Sequence, residues 1–147
     1  MAEKYQVRKF EPVNNSSYQF FEVAVNGKFQ FQEFVDNLKD EQRDLKKLNA
    51  IYGYMDSLSP SNLLPKTKFR SIKCKKCKNV YEFKKNDIRV YVILERPDVF
   101  VILGAYKSNQ DLDIKKIDKL FNGFEMWLLW TEKKYWKAQS IELLKLK

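Results

Sequence analysis

Histidine is absent from all 147 residues. Every mechanism that needs an imidazole is thereby excluded, including Ser-His-Asp triads, Cys-His dyads and His-ligated zinc. Acid–base chemistry here has only Lys, Tyr, Asp and Glu to draw on. Cysteine is scarce, at two residues. Two thiols make no disulfide framework and point to a reducing cytosol, so a cytoplasmic location is expected. Gly and Pro number four each, which excludes a collagenous or low-complexity chain. The longest apolar runs, Val90–Leu94 and Val99–Ala105, are too short to span a bilayer, so no membrane association is expected. The opening MAEKYQVRKF lacks the apolar stretch of a signal peptide. No P-loop, dinucleotide fingerprint or EF-hand is present, and no cofactor or metal is implied.

What is present suits one domain. Apolar residues make up 44% of the chain, enough for a core of ordinary size. Eleven Phe, eight Tyr and three Trp argue against disorder. The net charge is +9, and it is unevenly placed. Residues 66–90 hold ten cations against Glu82 and Asp87, a local +8 that leaves +1 for the other 122 residues. Phe69, Tyr81, Phe83 and Tyr91 interleave with those cations. A concentrated basic segment with aromatics is the footprint of a polyanion partner, either nucleic acid or an acidic protein. A solvated basic face with no partner is the plainer alternative.

Along the chain, residues 1–17 read as a partly disordered leader. Tyr18–Val25 reads as a strand ending in the Asn26-Gly27 turn. Phe31, Phe34, Val35 and Leu38 form a helical stripe, and Asp40 can cap a second helix carrying Leu45, Leu48, Ile51 or Tyr52, Met55 and Leu58. Short strands are expected at Lys66–Lys73, Asn79–Lys84, Ile88–Glu95 and Val99–Tyr106, linked as an antiparallel meander. A last helix carries Ile114, Ile117, Leu120 and Phe121, with Asn122-Gly123 as its C-cap signal. The Trp-rich segment 124–147 is expected to be helical and packed on the domain or on a partner. The class is α+β, helices against one sheet.

This order resembles the RelE/ParE toxin superfamily, most closely its phage-derived HigB-like branch. Five stretches carry the likeness, which spans residues 18–122: FEVAVNGKFQFQEFVDNL, EQRDLKKLNAIYGYMDSL, LPKTKFRSIK, VYEFKKNDIRVYVIL and VFVILGAYKSNQD. The resemblance implies two N-terminal helices packed on a small curved antiparallel sheet, with the C-terminal helices as an extension. It implies mRNA cleavage, often on the ribosome, and a cognate antitoxin protein as partner. Some relatives instead poison DNA gyrase.

RNA cleavage by attack of a ribose 2′-OH needs a base, cations for the phosphorane and an acid for the leaving oxygen. A lysine among other cations has its pKa lowered and can act as the base. Arg89 stands where the family holds the scissile phosphate; the alternative is a salt bridge to Glu82 across the hairpin. Lys84 stands where the family has Arg, which keeps the charge but loses the planar fork. Its alternative is a solvent-facing strand lysine. Lys66, Lys68 and Arg70 alternate, so on a strand they would form one cationic row. Tyr106 could stack on a base or donate a proton, and sheet-edge packing is its alternative. With Arg89, Lys84, Lys68, Lys66 and Tyr106 as candidate catalytic residues, the expected RNA contacts are Arg70, Lys73, Lys85, Tyr91 and Lys107. Gly104 falls where the family often has His. Cys74 and Cys77 supply only two zinc ligands and read as free thiols in a basic turn. A gyrase inhibitor acting by binding and a non-enzymatic or decayed RNA-binding relative are the competing functions.

Overall fold

The computed structural model describes residues 4–62, 64–73 and 79–131. The chain builds strand β2 at Gln19–Val25, where alternation sends Phe20 to one face and Val23 and Val25 to the other. Asn26 and Gly27 turn it back with φ of 54° and 83°, values that Asn and Gly tolerate. The short strand β3 (Lys28–Phe29) leads into α1 (Gln30–Asp36). Helix α2 (Glu41–Ser57) starts at Asp40, whose carboxylate accepts the Arg43 amide at 3.1 Å. Leu48, Ile51 and Met55 recur at helical spacing and are fully buried. Strands β4 (Phe69–Ser71), β5 (Val80–Lys85), β6 (Ile88–Glu95) and β7 (Asp98–Tyr106) follow, then a 3-10 turn at Lys107–Asn109 and α3 (Gln110–Thr131).

The α+β class holds, but the chain opens on strands rather than helices. Residues 5–9, read as part of a leader, form strand β1 (Tyr5–Lys9), antiparallel to β2. Phe10 and Val13 behind it are buried, and Arg8 Nε bonds Glu22 Oε1 on β2. The apolar content of this segment is what ties it to the domain. The sheet order is β1-β2-β7-β6-β5-β4, with β3 beside β2. The meander β4–β7 is antiparallel as expected. The sheet as a whole is mixed, because β2 lies parallel to β7. The crossover through α1, α2 and the meander returns the chain to β2 in the same direction, a connection that two adjacent hairpins cannot make.

One sheet face packs on α1 and α2 through Phe20, Phe83, Val90, Val92, Val99 and Val101. The other packs on α3 through Val25, Tyr91, Ile93, Phe100, Ile117 and Phe121. A bulge in β7 keeps both faces in register. Val92 pairs with Val101 while Tyr91 pairs with Leu103, so Ile102 is the extra residue. It lets Ile102 and Leu103 share the α3 face and returns Gly104 and Tyr106 to the helix-hairpin face.

Two further expectations change. The strand read at Lys66–Lys73 shrinks to Phe69–Ser71, because the Lys68 and Phe69 amides both donate to the Pro65 carbonyl and close a turn. Helix α3 runs through Asn122-Gly123 to Thr131. Phe124 is buried against Phe100 and Tyr5, and Trp127 stacks on Phe124 at 5.5 Å, so the apolar stripe continues past the glycine. Residues 132–147, with Trp136, lie outside the described residues, as do Cys74 and Cys77. Among the described residues no helix is long and apolar enough to cross a membrane.

Candidate polyanion-binding site

The short strands β4, β5 and β6 place Arg70, Glu82 and Tyr91 in one cross-strand row, and Lys84 opposite Arg89 beside it. All five lie on the α3 face of the sheet, by alternation with Phe69, Phe83 and Val90 on the other. Glu82 is fully buried and organises the cations. Its Oε1 accepts from Arg70 Nε, and its Oε2 lies 4.0 Å from Arg89 Nε. The Arg70 side chain is 44% exposed, so solvent reaches it while Glu82 is buried.

Arg89 is only 5% exposed. Its Nη1 donates to the carbonyls of Asn86 at 2.7 Å and Ile88 at 3.0 Å, which pins the guanidinium to the β5–β6 turn. Among the described residues, Arg89 Nε and Glu82 Oε2 make no hydrogen bond. The family-implied role, a phosphate held directly by Arg89, therefore conflicts with its burial; the guanidinium acts on this site as a nearby positive charge. The alternative given for Arg89, an ion pair with Glu82, is present at 4.0 Å.

Lys84 is half-buried. Its pKa is lowered by burial first, then by the charges of Arg70 and Arg89, with Glu82 opposing and Lys107 adding to the effect. An amine so placed loses its proton more readily than an exposed lysine.

The remaining candidates are dispersed. Tyr106 lies on the opposite sheet face, 7% exposed. Its hydroxyl donates to Asp44 Oδ2 at 2.7 Å and accepts from the Lys39 amide at 2.9 Å, while its ring packs on Phe34. Burial and the Asp44 bond raise its pKa. It is therefore packing and anchorage, separated by the sheet from Lys84. Tyr91 is fully buried and cannot stack on a base. Lys66 is exposed in the Pro65 turn, and Lys68 sets its ammonium 5.0 Å from the Tyr54 ring centroid on α2. The cationic row expected of Lys66, Lys68 and Arg70 does not form, since only Arg70 is on a strand. Lys85 follows Phe83 on the other face by alternation, Lys73 is exposed beyond β4, and Lys107 is exposed beyond β7.

Sequence reasoning missed the Asp44 centre. Burial alone would raise the pKa of this carboxyl. Hydrogen bonds from Tyr106, Arg43 and the Asp40 amide outweigh that and hold it at about 2. Lys47 joins it to Asp87, 2.7 Å away at the β5–β6 turn. An Asp one turn inside α2, facing the buried side, was its only signal. Among the described residues no three His, Cys, Asp or Glu side chains are grouped to hold a metal ion.

No protein-family profile, curated protein or solved structure matches the chain. The functional reading therefore rests on the residues themselves and on the resemblance of the short motifs. The cluster of Arg70, Lys84 and Arg89 around Glu82 can attract a phosphate and offers one amine with a depressed pKa.

Proposed function

We propose that this protein is a RelE/ParE-type toxin that engages RNA at the β4–β6 cluster and cleaves it with Lys84 as general base. The observation that carries the reading is the position of Lys84, half-buried between Arg70 and Arg89 with its pKa lowered. Neutral Lys84 would take the proton of a ribose 2′-OH as that oxygen attacks the adjacent phosphorus. Arg70 and the field of Arg89 stabilise the added charge, and the 5′-oxygen leaves with a proton from water. From β2 onward, the succession of two helices, the antiparallel strands β4–β7 and a last helix supports the family likeness. An antitoxin protein is the proposed partner, and mRNA on the ribosome the proposed substrate.

A second reading is inhibition by binding, without cleavage. The burial of Arg89 and the engagement of Tyr106 by Asp44 favour it, because both remove groups a nuclease centre would use.

Induced expression of wild type and Lys84→Ala in a bacterial host, followed by primer extension on abundant mRNAs, separates the two. Growth arrest with new 5′ ends, both lost in Lys84→Ala, is the expected result. Arrest without new ends would replace the nuclease reading with the binding one. Cleavage by wild type should also rise with pH as the Lys84 ammonium deprotonates.

A further inference from the structure

A cavity of about 410 Å³ opens between the β2–β3 turn and α3. Its lining is Val25, Asn26, Lys28, Gln30, Lys116, Lys119 and Leu120. We propose that this cavity is a second phosphate-binding site, separate from the β4–β6 cluster.

Three lysines converge here for local reasons. The Asn26-Gly27 turn delivers Lys28 opposite Val25. Lys116 and Lys119 are three apart on α3, so they share one helix face, and Leu120 lies beside them on its buried side. No lining residue is acidic. Among the described residues, Lys28, Lys116 and Lys119 make no ion pair. Lys116 Nζ is aimed by a hydrogen bond to Gln30 Oε1 at 3.1 Å. Grouping like charges this way disfavours the free protein, and a bound anion reverses the sign of that effect. Val25 and Leu120, each 8% exposed, give an apolar floor beneath the cations. The volume falls within the range of small-ligand sites, roughly 300–1,000 Å³. Ammonium groups over an apolar floor suit a phosphate attached to an organic group.

The cavity also has a defined relation to the first cluster. Because β2 runs parallel to β7, the Val25 end of β2 and the Tyr106 end of β7 lie at the same end of the sheet. Tyr106 pairs with Ile88, beside the turn that carries Lys84 and Arg89. Both sites therefore occupy one end of the α3 face, three strand spacings apart, roughly 14 Å. Lys107 emerges from β7 between them. A single RNA strand of a few nucleotides can reach from one to the other. The phosphate can thus come from such a strand or from a free small anion. The assignment extends the RNA reading but does not depend on Lys84 being a base.

The test uses the full chain and the Lys28→Gln/Lys119→Gln double variant, both exposed positions whose change leaves the core intact. Inorganic phosphate is titrated while the amides of Asn26, Lys28, Lys116 and Lys119 are followed by NMR. A fluorescein-labelled oligouridylate is titrated in parallel at several salt concentrations. Saturable phosphate-induced shifts at these four amides, lost there in the double variant, are expected. About tenfold weaker oligouridylate binding, with a salt slope smaller by about 1.4, identifies the source as an RNA strand. Phosphate shifts with unchanged oligouridylate affinity identify a free small anion. Absence of those shifts in wild type overturns the site. Lys84→Ala serves as the control: it should abolish cleavage and leave the phosphate shifts intact, so failure of the nuclease reading and failure of this one are told apart.

Discussion

Gly104 shows how one position limits what chemistry this chain can host. A Cβ there would lie 2.5 Å from Phe34 Cδ2, so α1 and β7 approach as closely as they do only because 104 has no side chain. An imidazole at this position has no room while Phe34 stands. Gly104→His should destabilise the fold by about 1–3 kcal/mol through overpacking. Urea unfolding measures this, and the Gly104→His/Phe34→Ala double variant should recover part of the loss. A fully additive double variant would show that the two sites do not touch. The Glu82 carboxylate is a second lesson at this scale. The sequence shows it as one of two anions among ten cations and as the alternative partner of Arg89; its burial and its bond to Arg70 show that it positions both arginines.

At the scale of elements, α3 is where local and tertiary signals disagree. Asn122-Gly123 has the chemistry of a helix end. The helix continues because Phe124 and Trp127 keep the stripe of Ile117, Leu120 and Phe121 against the sheet. Packing outweighs the glycine penalty, which is about 1 kcal/mol. Phe124→Ala should therefore cost about 3–5 kcal/mol in denaturant unfolding. A helix that ended at Gly123 would leave this substitution near neutral. The reverse happens at Lys66–Lys68, where alternation suggests a strand and the Pro65 carbonyl draws the backbone into a turn. That single change removes two expected members from the candidate site.

The whole molecule is tied together through Asp44. Its bonds reach α2, the last residue of β7 and, through Lys47, the β5–β6 turn. This joins the helix hairpin to the end of the sheet that carries Lys84. The Asp44 pKa in the folded state, about 2, lies below the unfolded value of about 3.9. Its stabilising contribution is therefore complete above about pH 4 and disappears as the pH falls through about 2. Asp44→Asn should destabilise the protein at pH 7 by about 3 kcal/mol, since it leaves Tyr106, Arg43 and Lys47 without their charged partner. The difference from wild type should shrink between pH 4 and pH 2 in thermal unfolding followed by circular dichroism. An unchanged difference across that window would assign the stability to packing instead.

Much of the frame was legible in the linear chain. The helical stripes on α1 and α2, the Asp40 cap, the Asn26-Gly27 turn and the β5–β7 meander are all local patterns, governed by side-chain periodicity and turn stereochemistry that need no distant partner. The basic character of residues 66–90 is likewise a property of composition. The parallel pairing of β2 with β7, the capture of β1 and the bulge at Ile102 depend on contacts between residues far apart in sequence, which no local pattern encodes. The same holds for the site. The motif resemblance marked Lys84 and Arg89 as candidates, the alternation of cations marked Arg70, and strand register brought the three together. Which side of the sheet a side chain takes, and how much water reaches it, was decided by the tertiary structure alone. Alternation sends Tyr106 to Asp44 and away from Lys84, and burial turns Tyr91 and Arg89 from surface groups into parts of the interior.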